Sequence, residues 1–339
     1  MTGLTNKQLT TAKKAKKDEF YTTRQVIEDE LIHYKHDFNG RPVLCNCNDW
    51  PERSEFVRFF MRHMHDWNIP RLIAVGYRED AGTLLSDKTG VKYELRNDGR
   101  NTEYTIGDFT ATPLAGTGGF ETPECEQLLD IPDIIICTNP PFGRFRQYLP
   151  LLAKHDVGFL IIGNLNAVTY KEIFPLFKTE RCWLGVSIHS GDRPFNVPDD
   201  YPLEAATHGY DENGRPYIRV NTVRWFTNLP GGLSDKNRPA LTGRHYTGHE
   251  QDYPEYDDYP AINVDRVSDI PDDYMGAMGV PVTVLDSWGP SRLADGNGFR
   301  LLGVLNHGKD GDWDKALPQV NGVIKFKRLL IQRIDTTTV

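Results

Sequence analysis

Apolar residues in the first half of the chain fall into two alternating patterns, one with helical spacing and one of short unbroken runs. Residues 23–36 place Ile27, Leu31 and Tyr34 at i, i+4 and i+7, which predicts an amphipathic helix stopped by Gly40. The run at 42–45 predicts a first strand. Ser54 can cap the next helix, whose Phe56, Phe59, Phe60 and Met64 share one stripe. Runs at 71–77, 134–136 and 158–163 predict further strands, and residues 104–106 lead into Gly107-Asp108-Phe109 as a shorter one. Phe145, Tyr148, Leu149 and Leu152 have helical spacing with Pro150 inside it, so the helix either kinks or follows a tight turn. Tyr170, Ile173, Phe174 and Phe177 predict one more helix.

Short apolar strands alternating with amphipathic helices indicate an α/β fold with a parallel sheet covered on both faces. The style changes after about residue 181. Residues 183–188 and 217–227 read as strands joined by a long polar loop, suited to an antiparallel pair closing the sheet. Residues 229–258 are rich in Gly, Pro, Asp and Tyr, a loop-rich boundary. Mixed strand signals follow at 280–285, 299–304 and 323–331. The expected organisation is a flexible basic tail over 1–17, one large domain over 18–230 and a C-terminal extension over 231–339.

Composition narrows the class. With 339 residues the chain exceeds one small core. No apolar run approaches the roughly 18 residues of a membrane span, and residues 1–17 lack a signal peptide's apolar centre. The expectation is a cytoplasmic protein with no membrane partner. Cys45, Cys47, Cys125, Cys137 and Cys182 form neither a zinc pattern nor a disulfide framework, and are read as reduced and mostly buried. Net charge is −8, but phosphate affinity follows local rather than total charge. Arg144 and Arg146 stand out among the basic residues because they directly follow the most informative motif in the chain.

That motif is Asn139-Pro140-Pro141-Phe142, at the end of the apolar run 133–138. It looks like the catalytic tetrapeptide of enzymes that methylate exocyclic amino groups. An aromatic amine is a weak nucleophile because its lone pair is delocalised into the ring. The Asn139 side-chain amide and the Pro140 carbonyl can accept both N–H bonds and draw the nitrogen towards a nucleophilic, pyramidal state. Consecutive prolines restrict φ and remove competing donors. Phe142 offers a face for a base taken out of its stack. The other strand ends carry Asn46, Asn48 and Asp49, then Tyr77, then Asp108 and Phe109. In an open α/β sheet ligands bind beyond the carboxyl ends of the strands. Amides and carboxylates there suit ribose hydroxyls, an adenine amine and an amino-acid end. They suit a polyphosphate poorly, and no Gly-x-Gly-x-x-Gly or Walker pattern is present. The histidines show no metal spacing, so no metal is expected.

The chain resembles the EcoRI-like adenine-specific DNA methyltransferases. The likeness runs through 17–22, 27–34, 43–49, 138–142, 161–174, 183–185, 225–229, 259–264, 269–271 and 278–281, and so covers about residues 17–305. It implies a Rossmann-like methyltransferase fold, with a mostly parallel seven-stranded sheet, an antiparallel strand pair and a C-terminal mixed appendage. It also implies methyl transfer from S-adenosylmethionine to N6 of a flipped-out adenine in double-stranded DNA. Phe20, Tyr21 and Thr22 would lie against the methionine end of the cofactor. Asn46, Asn48 and Asp49 would hold the methionine amino group and ribose, and Tyr77 the ribose and adenine edge. Asp108 and Phe109 would bond to and stack on the adenine. Asn139, Pro140, Pro141 and Phe142 would hold the target base, with Phe195 as an opposite wall and Arg144 and Arg146 against DNA. Target recognition falls to the loop 190–216 and the region after about 230. The resemblance further favours a monomer, and leaves open a restriction–modification enzyme with a cognate endonuclease acting on the same site or an orphan or phage modification enzyme. Cys-Asn-Cys-Asn-Asp replaces the usual Phe-x-Gly-x-Gly turn of methyltransferases, and 304–324 has no counterpart. The rival readings are an RNA adenine methyltransferase and a non-catalytic DNA-binding protein on a methyltransferase fold.

Overall fold

The computed structural model describes residues 21–79, 89–99, 103–189, 193–197, 203, 208–211, 214–220, 222–233, 242–288, 298–305 and 317–334. Phe20 and the basic tail therefore lie outside the described residues, as do most of the loop expected after 197 and much of 304–324. The chain divides into two compact units, residues 1–164 with 190–232, and residues 165–189 with 233–339.

The central sheet is built on three buried runs. β2 (Val43–Cys45), β3 (Arg71–Gly76) and β6 (Ile135–Thr138) bury nearly every side chain, as strands covered on both faces must. β7 (Gly158–Asn164) joins them, and the order β3-β2-β6-β7 is parallel throughout. Outside this core the sheet is antiparallel. β3 turns back into β4 (Val91–Arg96) and then β5 (Thr110–Pro113), while β12 (Val223–Thr227) runs against β7. Within the first unit the order is β5-β4-β3-β2-β6-β7-β12, while β8 (Trp183–Leu184) belongs to the second unit. The sheet is thus mixed, with four parallel strands flanked by antiparallel ones, which corrects the expected mostly parallel sheet.

The extra antiparallel strand is β4. Its sequence Val91-Lys92-Tyr93-Glu94-Leu95-Arg96 has no continuous apolar run, and Glu94 is held there by Arg71 on β3 in a two-pronged contact at 2.8 and 3.0 Å. The strand expected at 104–106 does not form. Thr105 and Asp108 make reciprocal capping bonds that wind Ile106–Asp108 into a single 3-10 turn, and β5 starts only afterwards.

Three helices of this unit matter for the site. α1 (Arg24–Leu31) buries Ile27 and Leu31, and a short helical continuation adds Tyr34 and Phe38 to the same core. α2 (Glu55–His63) is capped by Ser54, whose Oγ accepts from the Val57 N–H at 3.3 Å. α3 (Phe145–Lys154) follows a 3-10 turn at Phe142–Arg144 and continues through Pro150. A second, small antiparallel sheet gathers β1 (Tyr21–Thr22), β9 (Arg193–Asn196), β11 (Pro216–Val220) and β10 (His208–Tyr210), so that Thr22 pairs with Phe195. The expected antiparallel partners at 217–227 are therefore divided between two sheets.

In the second unit β13 (Glu255–Tyr256), β14 (Tyr259–Asn263), β15 (Ala277–Pro281), β19 (Arg328–Arg333) and β16 (Phe299–Leu305) form a five-stranded sheet. The helix expected from Tyr170 is shorter, α4 (Phe174–Lys178), with Pro175 in its first turn, and Leu165–Thr169 ahead of it winds as a 3-10 helix. No helix among the described residues is long and apolar enough to cross a membrane.

Candidate active site

The turn after β2 is the centre of the site. Asn48 sits at φ 63°, a left-handed conformation that asparagine tolerates better than most side chains. This reverses the chain, and the Asp49 N–H reaches the Val75 carbonyl at 2.8 Å. The Asn48 Oδ1 accepts from the Trp50 indole at 2.8 Å and from the Tyr77 N–H at 3.3 Å, fixing the ends of β2 and β3 against each other.

Asp49 is buried within that turn. Its carboxylate accepts the Cys47 N–H at 3.0 Å, the Ser54 hydroxyl at 2.6 Å and the Thr138 hydroxyl at 2.5 Å. Burial pushes its carboxyl up to about 6, while these donors pull the other way. Asn46, also buried, accepts from the Tyr148 hydroxyl of α3. Burial drives the Tyr148 phenol and the Cys47 thiol upward, so both stay protonated near neutrality.

The tetrapeptide leaves β6 directly after Thr138. Asn139 is half-buried and Pro140 buried. The Pro141 carbonyl accepts the Arg144 N–H at 2.9 Å, closing the turn that starts α3.

The opposite wall comes from a loop with no place among the expected site residues. The Glu124 carboxylate accepts the N–H groups of Ala115 and Gly116 at 2.8 and 2.9 Å, and the Thr117 carbonyl accepts the Arg78 N–H at 2.9 Å. Gly118, at φ 78°, passes so close to β3 that a Cβ would stand 2.9 Å from the Gly76 carbonyl oxygen. The glycines were visible in Gly116-Thr117-Gly118-Gly119, but their spacing matches no phosphate loop.

These elements enclose one open cleft within the first unit, about 1280 Å³ with its mouth included. Of the expected residues it brings together Tyr21, Thr22, Asn46, Asn48, Asp49 and Tyr77 with Asn139, Pro140, Pro141 and Arg144. It adds Glu79, at the same strand end as Tyr77, and Glu55, Phe56, Gly118, Phe120 and Glu121, which were not expected there. Thr22 also lines this cleft, and its buried hydroxyl has no hydrogen-bond partner among the described residues.

Other expected residues lie elsewhere. The Asp108 carboxylate takes the Thr105 N–H and hydroxyl at 2.7 and 2.8 Å, and Phe109 stands edge-on to Tyr93. Phe195 is fully buried in β9, a core position and not an open wall. Phe142 and Arg146 are half-buried, in the turn and on α3, outside the cleft lining.

Comparison with known proteins finds likeness over nearly the whole chain. The family described as adenine-specific methyltransferase EcoRI matches residues 8–333. The Type II methyltransferase M.EcoRI of Escherichia coli is 40% identical over 331 residues, 97% of each chain. The Type II methyltransferase M.MpnI of Mycoplasma pneumoniae is 36% identical over 83% of this chain and 82% of its own. M.MgeORF184P of Mycoplasma genitalium, also named a Type II methyltransferase, is 32% identical over 95% of this chain and 97% of its own. No solved structure matches. With Asn139, Pro140 and Pro141 opening onto this cleft and a likeness that spans residues 8–333, the chain belongs to the EcoRI family of adenine-specific methyltransferases.

Proposed function

We propose that the protein transfers a methyl group from S-adenosylmethionine to N6 of an adenine in double-stranded DNA, with the base taken out of its stack. One observation carries this reading: Asn139 and Pro140 open onto the same cleft as Thr22, Asn46 and Asn48. An amine held by the first group would face a donor held by the second.

The residues present fit such a donor. A buried hydroxyl without a partner, as at Thr22, is expected where a ligand completes the hydrogen bond. Asp49, Glu55, Glu79 and Glu121 outnumber Arg53 and Arg144 in the lining, which favours a sulfonium cation over a polyphosphate. With its Oδ1 held by Tyr148, Asn46 turns its amide N–H groups to the ligand's carboxylate or ribose oxygens. Tyr21 and Tyr77 offer it apolar faces. S-adenosylmethionine, when bound, supplies an activated methyl group and a neutral leaving group.

The chain supplies position and polarity. The Asn139 Oδ1 and the Pro140 carbonyl accept the two N–H bonds of the amine and localise its lone pair. The two prolines hold these acceptors in place before the base arrives. Duplex DNA as the substrate and a restriction–modification role beside an endonuclease of the same specificity complete this reading, and the relatives' naming as Type II methyltransferases favours it.

The test is to incubate the purified protein with radiolabelled donor and varied duplexes, then digest the DNA. Label is expected in N6-methyladenine alone. A protein that leaves every purine unlabelled overturns the reading.

A further inference from the structure

Arg144 is the first charged residue after the tetrapeptide, and the fold fixes it from three sides. Its N–H donates to the Pro141 carbonyl at 2.9 Å, so it moves with the loop proposed to hold the base. Its guanidinium lies 5.0 Å over the Phe120 ring, which is buried and packed edge-on against Tyr148. Its Nη1 donates to the Glu121 carboxylate at 2.6 Å. Both partners line the cleft and remain about half exposed, at 49% and 44%. An exposed pair of this kind adds little to stability. The contact is nevertheless one a phosphate oxygen can make in place of the carboxylate, since a guanidinium N–H donates to either anion.

We propose that Arg144 is the subsite for a phosphodiester flanking the target adenine, and that the Glu121 carboxylate fills it in the free enzyme. The proposal rests on the DNA reading above and adds a specific exchange to it. An incoming strand replaces one anion by another at a guanidinium already oriented by Phe120. The same exchange frees the loop 115–121 from the base-holding turn. In the absence of a strand, Glu121 closes the rim and shields Arg144 from stray anions. The rest of the lining favours a single phosphate contact, because Asp49, Glu55 and Glu79 would repel a second.

The test uses a duplex that the wild-type protein methylates. A protein that methylates none defeats the functional reading and this proposal with it. On that duplex, fluorescence anisotropy is expected to show Glu121→Gln binding roughly two- to fivefold tighter than wild type. Arg144→Gln should bind more weakly, with the slope of log K against log salt reduced by about one. The double variant should match Arg144→Gln alone, since Glu121 then has nothing to compete for. The proposal is overturned, with the methylation reading left intact, if Glu121→Gln binds no tighter than wild type. The same holds if Glu121→Gln changes Kd by an equal factor whether or not Arg144 is present.

Discussion

Thr138 donates its hydroxyl to the Asp49 carboxylate across 2.5 Å, tying the last residue of β6 to the turn after β2. The bond joins the two halves of the cleft, since Asn139 follows Thr138 directly and Asn46 and Asn48 belong to the Asp49 turn. Asp49 works here as a brace, with both oxygens engaged from within the chain.

Thr138→Val keeps the shape of the side chain and removes that donor. A buried charge-assisted hydrogen bond lost on one side costs about 1–3 kcal/mol. Urea unfolding should show a loss in that range. Methyl transfer should fall through kcat more than through the cofactor's KM, because the displaced element is the base-holding loop. A variant as stable and as active as wild type would remove the brace from the account.

Asp49 also gives the protein a pH signature. Its folded-state value, about 6, lies above the ordinary 3.8, so the native state holds this proton more tightly than the unfolded chain. The contribution to stability is fully present below pH 3.8 and is lost as pH rises through about 6. At roughly 1.4 kcal/mol per unit, the change across this window is about 3 kcal/mol. Asp49→Asn cannot titrate, so the stability of wild type relative to this variant should fall from pH 4 to pH 7. Urea titrations at intervals of one pH unit would measure it, and a difference independent of pH would reject it.

Much of this arrangement was legible in the chain, for reasons particular to each residue. Ile135 and Ile136 announce a buried strand because both faces are covered, leaving nothing but apolar side chains to see. Ser54 announces a cap because its role is local. Val91 to Arg96 hides a strand because its burial is partial and its charges are satisfied across the sheet by Arg71. Asp108 reads as a ligand in sequence, yet its carboxylate is taken by its own turn, a competition visible only in geometry. Gly118 reads as an ordinary loop glycine. Its importance comes from the carbonyl of Gly76, brought beside it by the β4–β5 excursion.

Asn139→Ala removes one of the two acceptors proposed for the amine and leaves Thr22, Asn46 and Asn48 in place. Loss of a single preorganised hydrogen-bonding group in a catalytic site lowers kcat by about 10²–10³. Calorimetric titration of S-adenosylmethionine should show affinity within about threefold of wild type, given that the altered group faces the base. Loss of cofactor binding in step with activity would move Asn139 out of the proposed role.

Gly118→Ala places a Cβ against the Gly76 carbonyl at 2.9 Å and forces a left-handed φ of 78° on an L side chain. Strain at such a position costs of order 1–3 kcal/mol. The loop must shift away from β3, widening the cleft where Tyr77 lines it. Weaker cofactor binding is expected together with a lower unfolding midpoint. Serine at this position should behave like alanine, because the fault lies in the Cβ and not in polarity.

Thr22→Val separates binding from stability. The Thr22 hydroxyl is buried without a partner among the described residues, so the protein already bears the cost of desolvating it. Replacing it with a methyl of similar size should leave the unfolding free energy unchanged or raise it by up to about 1 kcal/mol. The pairing of Thr22 with Phe195 uses only the backbone and survives the change. If the hydroxyl is there to meet the cofactor, affinity for S-adenosylmethionine should drop by roughly tenfold, the equivalent of one hydrogen bond. Serine restores the hydroxyl and should restore the affinity. A valine variant that binds the cofactor as tightly as wild type would leave the orphaned hydroxyl as an unpaid cost of folding and would move the cofactor's contact away from β1.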